Sequence, residues 1–456
     1  VSIVAVVKED CPTCRLVEPV LQDLVERGVV EAIHREDDPA GLEASYRLGI
    51  ETVPTLIAGD ERIVGWSREQ WQDFTGVAEL GVGLPDYRPG CGSRTLDPGV
   101  ADDLAVRFRG GTLRSRRVEL GDLEDEAEAM FDRGWTDGLP VVPPTEARVL
   151  RMLDGTTRAA DDVVAVVPPD LADCTVEKVA VNAVMAGCRP EYLPVVLACV
   201  EAACTDEFNM HGLLATTYFS GPVVIVNGPV ARAIGMNSKG NALGQGNRAN
   251  ATIGRALQLV VRNVGGGKPG GVDRATLGNP GKYTFCFAED EEGSPWESLA
   301  VERGFDPEAS TVTLFAGEGP RGIVDQLSRT PESLAGSLAA GLRSVAHPKL
   351  PMGFDAFLVV SPEHARVFAE AGWSKARVKE ELHARLQLDG AEIVRGAGGI
   401  AEGVPESFAG ATLPKFRSDG LWLVHAGGGA GLFSAIIGGW VNGEAGSQPV
   451  TREVGT

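Results

Sequence analysis

The sequence predicts an α/β protein in which a small amino-terminal domain precedes a large α/β domain built from two related halves. Three observations carry this expectation. Over residues 1 to about 80, short β-branched runs alternate with amphipathic ones. From about residue 170 the same order of helix and strand signals occurs twice. Glycine is abundant, at 58 of 456 residues, which suits many tight loops between elements.

The first run, Val1 to Val7, reads as a strand and ends at Lys8-Glu9-Asp10. Cys11-Pro12-Thr13-Cys14 follows, and then Leu16, Val17, Val20, Leu21 and Leu24 fall three or four apart, the pattern of an amphipathic helix. Cys11 is thereby placed at a helix N-terminus, where unpaired N–H groups and the macrodipole favour thiolate over thiol. Cys14, one turn on, is placed to attack a mixed disulfide. Cys11 is expected to be the more exposed and more acidic of the two. A zinc half-site, or simply two buried thiols, is the other reading open to such a pair. Glu31 to His34 reads as a second strand and Ala40 to Leu48 as a second helix. Thr52-Val53-Pro54-Thr55-Leu56-Ile57 sets a proline at the head of an apolar strand. Asp60-Glu61 turns into Arg62 to Gly65, and Ser67 caps a helix through Phe74.

These residues resemble a compact thioredoxin- or glutaredoxin-like domain over residues 1 to about 80. The resemblance implies that Cys11 is the nucleophilic and Cys14 the resolving cysteine, and that Pro54 is the cis-proline beside them. Two features depart from thioredoxin: no Trp precedes Cys11, and Pro-Thr replaces Gly-Pro between the cysteines.

Composition narrows the function classes. The chain is 43% hydrophobic and 23% charged, and its length suggests two or three domains. A net charge of −21 argues against nucleic acid, whose phosphates it would repel. No apolar run approaches the roughly 18 residues that a membrane span needs, and the amino end reads as a strand rather than a signal peptide. A cytoplasmic protein is therefore expected, and its eight cysteines are expected to be free or reactive rather than structural disulfides.

Residues 81–134 read as a linker and connecting helix. Cys91 lies there between Arg88 and Arg94 and is flanked by Gly90 and Gly92, which predicts an accessible thiol of lowered pKa that could relay electrons. An acidic helix is expected near Glu119 to Asp132. The large domain, 135–456, opens on Trp135 to Thr145, whose three prolines force extended backbone, as a strap or as the lining of a site.

Within it the repeat divides the chain at about 170–325 and 326–456. Pro190-Glu191-Tyr192-Leu193 and Pro331-Glu332-Ser333-Leu334 each open an apolar helix. Each is followed by a histidine, His211 or His347, and by a strand, Val223 to Val226 or Phe357 to Val360. A proline-led helix and a Ser-Lys pair, Ser238-Lys239 or Ser374-Lys375, complete each half. The halves differ beyond that point. The first has the loop Gly235 to Asn250, whose Lys239, Asn241, Asn247, Arg248 and Asn250 offer donors ahead of a helix expected near Thr252, a pattern suited to a small anionic substrate. The second continues as an ordinary charged helix. Lys282 and Tyr283, after the glycines of 265–271, are expected to join the loop. So is His425, delivered by a strand into His-Ala-Gly-Gly-Gly and then an apolar helix, as a general acid or part of an anion cradle. His211 is the other histidine candidate.

Among the remaining thiols, Cys188 lies between Gly187 and Arg189-Pro190, just before a helix. It is the expected nucleophile of the large domain. No cofactor and no metal site is expected, because no second Cys-x-x-Cys or Cys/His spacing is present. Expected partners are the anionic substrate, an external reductant for the dithiol and, admissibly, a second copy of the chain. The leading functional expectation is a thiol-dependent oxidoreductase whose dithiol reduces or resolves a cysteine intermediate formed in the large domain. The alternatives are sulfur or soft-metal transfer, and reduction of external disulfides with the large domain as a binding scaffold.

Overall fold

The computed structural model describes residues 2–121 and 124–455. It is an α/β protein that divides into two compact units, residues 1–113 with 146–150, and residues 114–145 with 151–456.

In the first unit, β1 (Ile3–Val7) runs parallel to β2 (Val30–Arg35) and antiparallel to β4 (Thr55–Ala58). That strand forms a hairpin with β5 (Glu61–Val64), so the order is β2-β1-β4-β5. α1 (Pro12–Glu26), α2 (Pro39–Arg47) and α3 (Arg68–Thr75) complete the pattern. α1 forms because Cys11, in extended backbone, caps it, and Pro12 needs no hydrogen bond in the first turn. Its buried stripe, Val17, Val20, Leu21 and Leu24, packs with Ala5, Leu56, Trp66 and Trp71.

The unit does not end at residue 80. Leu80 and Leu84 enter the same core, and the indole of Trp66 donates to Pro85 O at 2.6 Å. The chain then pairs twice with the body: β7 (Tyr87–Arg88) with β6 (Trp66–Ser67), and β8 (Cys91–Gly92) with β3 (Thr52–Val53). Farther on, α4 (Val100–Arg109) is held to α2 by Phe108 stacking on Tyr46 and by Arg107 against Glu43 at 3.1 Å. The expected linker is thus largely folded structure, because its polar-looking sequence hides backbone pairing that local patterning does not register. The acidic helix is shorter than expected, α5 (Glu126–Asp132); positions 122–123 of that stretch lie outside the described residues. α6 (Glu146–Leu153) follows.

In the second unit a hairpin, β9 (Val163–Val167) with β10 (Ala172–Thr175), leads to α7 (Val176–Ala186), α8 (Leu193–Ala203) and α9 (Met210–Ala215). Next come β11 (Gly221–Asn227), α10 (Pro229–Ala233), α11 (Arg248–Asn263), β12 (Cys286–Ala288), α12 (Leu299–Glu302) and β13 (Thr311–Gly317). The remainder comprises β14 (Arg321–Val324), α13 (Pro331–Leu342), β15 (Phe354–Val360), α14 (Pro362–Glu370), α15 (Lys375–Arg385) and β16 (Gln387–Asp389). It ends with α16 (Gly390–Ile393), β17 (Thr412–Pro414), β18 (Leu421–His425), β19 (Phe433–Val441) and β20 (Val450–Glu453).

The main sheet has the order β12-β11-β13-β19-β15-β18, with β14 on β19 and β20 on β13. From its middle outward, each side shows the same arrangement. β13 is antiparallel to β11, which is parallel to β12; β19 is antiparallel to β15, which is parallel to β18. The strands that the sequence sets in correspondence, within β11 and β15, thus occupy equivalent places about the Gly317–Gly439 pair. Side chains from all six strands, among them Ile225, Phe287, Phe315, Ile437, Phe357 and Val424, share one core. The edge strands meet at their C-terminal ends, where the Asp290 N–H donates to His425 O at 2.8 Å.

The glycines after His425 lead into β19, not into the expected helix. Phe433-Ser-Ala-Ile-Ile-Gly-Gly-Trp-Val is apolar but for Ser434, a pattern that alone does not separate a helix from a buried strand. Tertiary contact decides: a Cβ at Gly439 would lie 2.7 Å from the Phe315 ring and 2.9 Å from Asp355 O, so only glycine lets the central strands approach.

Candidate functional site

The first unit brings three of the candidate cysteines together. Cys11 Sγ accepts the Cys14 N–H at 3.2 Å and lies 3.6 Å from Val53 O, the carbonyl preceding Pro54, across a cis peptide bond. Cys91 is the cross-strand partner of Val53 and packs against the cluster that contains Cys11 and Cys14. All three are free thiols. Burial pushes the Cys11 thiol up, but hydrogen bonds from the Cys14 and Cys91 thiols and from the backbone of Cys14 and Thr13 outweigh it. The result is a lowered pKa. Cys14 is raised by burial, by donating to Cys11 and by the negative charge there.

Two expectations are corrected here. Cys11 is not the more exposed thiol: it is 0% exposed and Cys14 2%. The cover is the segment Tyr87 to Gly92, which crosses the start of α1. Thr13 Oγ1 donates to Pro89 O at 2.7 Å, and a Cβ at Gly90 would sit 2.4 Å from Thr52 Cγ2 and 2.8 Å from Val53 O. Beyond the segment, the buried carboxylate of Glu36 accepts from the Ser93 hydroxyl and from the Arg94 N–H, the latter at 2.8 Å. Cys91 is half-buried, and its pKa is raised, not lowered, by burial and by its bond to Cys11. Arg94 is turned instead to Asp37 at 3.0 Å. Thr13, Glu36 and Pro89 were missed in the sequence; the signal for them is a second extended segment able to pair beside the Val-Pro-Thr strand.

The five thiols of the second unit lack this setting. Cys188 follows the C-terminal end of α7, its N–H bonded to Ala183 O, and lies two residues ahead of the helical turn Pro190–Tyr192 that runs into α8. Burial pushes it up to about 12, against weaker opposing effects of Thr252 and Arg248. Cys174 and Cys204 are likewise raised to about 12 by burial, and burial raises Cys199 and Cys286 as well. The electrostatic basis for a nucleophile at Cys188 is therefore removed.

The Gly235–Asn250 loop spends its donors on itself. Asn241 Nδ2 donates to Gln245 O at 2.7 Å, Asn247 Nδ2 to Gly235 O at 2.8 Å, and Asn250 Nδ2 to Asn237 O at 2.8 Å. α11 begins at Arg248, earlier than expected, with Asn247 as its cap, and Arg248 Nε donates to Gly187 O. The loop does meet the glycines after β18: Gly427 N–H donates to Ser238 O at 2.9 Å, beside the exposed Lys239.

His425, 1% exposed, bonds through Nδ1 to Asp290 O at 3.1 Å. Since a carbonyl only accepts, Nδ1 carries the proton; Nε2 has no partner among the described residues. Its neighbour Glu289 is fully used at the sheet seam, accepting from Asn227 Nδ2 and Leu299 N, each at 2.7 Å, and burial raises its pKa. Lys282 and Tyr283 precede β12 and so stand at its opposite end from Asp290 and His425. Lys282 pairs with Asp273 at 2.7 Å, and Tyr283 is 47% exposed. His211 is exposed in the first turn of α9. The Trp135–Thr145 stretch is a strap, its Asp137 carboxylate held by both Arg255 Nε and Nη2 at 2.8 Å.

A cavity of about 680 Å³ beside α15 includes Glu302, Lys375, Lys379, His383 and Phe416 in its lining. Glu302 takes both ammonium groups, Lys375 at 2.9 Å and Lys379 at 2.7 Å, so the two charges are already paired. Among the described residues no group of three His, Cys, Asp or Glu side chains is placed to hold a metal ion, and no helix is long and apolar enough to cross a membrane. Compared with protein-family models, curated proteins and solved structures, the chain matches none of them.

Proposed function

We propose that the first unit is a thioredoxin-like module and that the chain is a thiol–disulfide oxidoreductase acting through Cys11 and Cys14. One observation carries this reading: the thiol that caps a 15-residue helix is stabilised as thiolate by converging hydrogen bonds, beside a partner thiol held protonated. In the reaction, the Cys11 thiolate attacks a disulfide sulfur and one thiolate leaves. A mixed disulfide then occupies Cys11, whose negative charge is gone. That charge is one reason Cys14 stays protonated, so Cys14 now ionises more readily, attacks Cys11 and expels the second thiol. A cysteine intermediate in the second unit is disfavoured, since burial raises the pKa of each of that unit's five thiols.

The test is to titrate the reduced full-length protein against reduced and oxidised glutathione and map its disulfides. A Cys11–Cys14 disulfide in two-electron equilibrium is expected, lost in Cys11→Ser and in Cys14→Ser. Absence of that disulfide at every glutathione ratio would rule the reading out.

A further inference from the structure

The dithiol reading leaves a difficulty. Cys11 is fully buried, and the Tyr87–Gly92 segment lies over it, pinned by β-pairing at both ends and by Thr13 to Pro89. An external disulfide therefore has no direct approach to its sulfur. The same segment sets a half-buried third thiol in register with Val53, whose carbonyl contacts Cys11 Sγ.

We infer that Cys91 is a third redox-active thiol, carried on this segment as the solvent-facing partner of Cys11, and that it receives low-molecular-weight disulfides in place of Cys11. The inference rests on the thiol–disulfide reading above. Cys91, packed on the cluster that contains Cys11, attacks the external disulfide RS–SR, its proton passing to the Cys11 thiolate. A Cys91–SR bond forms and RS⁻ leaves. Cys11 then attacks the Cys91 sulfur, forming Cys11–Cys91 and releasing the second RS⁻ with the Cys11 proton. Finally Cys14 attacks Cys11, forming Cys11–Cys14, and its proton returns to the Cys91 thiolate. Two electrons and one proton have then passed from the Cys11 thiolate and the Cys14 thiol to RS–SR, which leaves as RS⁻ and RSH, and the Cys91 thiol is regenerated.

The experiment uses the reduced full-length protein and glutathione disulfide. In Cys14→Ser the last step is blocked. Peptide mapping is then expected to find Cys11 joined to Cys91 with no glutathione retained. Glutathione held stably on Cys11, with Cys91 a free thiol, overturns the inference. In Cys91→Ser, glutathione disulfide reduction is expected to slow at least tenfold while the Cys11–Cys14 disulfide still forms on long incubation. Cys91→Ala should slow it similarly. An unchanged rate in both variants overturns the inference and leaves the dithiol reading standing. If the wild-type chain never forms Cys11–Cys14, the dithiol reading fails and this inference fails with it.

Discussion

The hydroxyl of Thr13 donates to the carbonyl oxygen of Pro89 at 2.7 Å, so one of the two residues between the cysteines ties down the segment that covers them. A hydrogen bond of this kind contributes about 1 kcal/mol, or about a fivefold change in an opening equilibrium. Thr13→Val is therefore expected to raise the rate of iodoacetamide alkylation at Cys11 about fivefold. A rate equal to wild type would show that the segment does not limit access.

The covering segment is anchored downstream by Glu36, whose carboxylate accepts from the Ser45 and Ser93 hydroxyls and from the Arg94 N–H. Glu36→Ala leaves these donors without a partner, at about 2 kcal/mol for the local structure. Amide hydrogen exchange across residues 87–96 should accelerate about 30-fold, with β1 little changed. Equal protection in both proteins would contradict this role.

The acidity of Cys11 depends on its donors. Removing the thiol of Cys91 deletes a hydrogen bond to the charged form, which raises the Cys11 pKa. The pH midpoint of Cys11 alkylation should lie below the ordinary thiol range in wild type and move to higher pH in Cys91→Ala. A shift the other way would mean that Cys91 acts on Cys11 mainly by burying it.

Cys174, Cys188 and Cys204 have pKa values raised by burial from 9.0 to about 12. At pH 7 such a thiol has about a thousandth of the thiolate of an ordinary one, so reaction with Ellman's reagent should be slow until the chain is unfolded. A folded pKa above the unfolded one contributes stability fully present below about pH 9 and lost as pH rises towards 12. Thermal unfolding from pH 9 to 12 should show a falling midpoint, less steep in Cys188→Ala.

The central strands pass at Gly317 and Gly439 without room for a side chain. Gly439→Ala would set a methyl group against the Phe315 ring and the fixed carbonyl of Asp355. Overpacking of this kind costs about 1–3 kcal/mol, so the thermal midpoint should drop while the reactivity of Cys11 is unaffected. An unchanged midpoint would show that the strands can move apart at no cost.

The sequence by itself determined the α/β class, the cap-and-helix placement of Cys11 and Cys14, and the strand headed by Pro54. These depend on residues a few positions apart, where periodicity and capping chemistry act directly. Correspondence between the β11 and β15 regions was legible for the same reason: each unit of the repeat carries its own local signals. Tertiary structure decided what covers Cys11, because β8 pairs with β3 some 40 positions away and nothing local in Cys91-Gly92 announces it. It decided that Phe433–Val441 is a strand, since an apolar run takes its form from what packs on it. It also turned the lowered pKa expected at Cys91 and Cys188 into a raised one. Neighbouring arginines and helix ends are visible in sequence, but burial is a property of the packed chain, and at Cys188 it outweighs the opposing effects of Thr252 and Arg248.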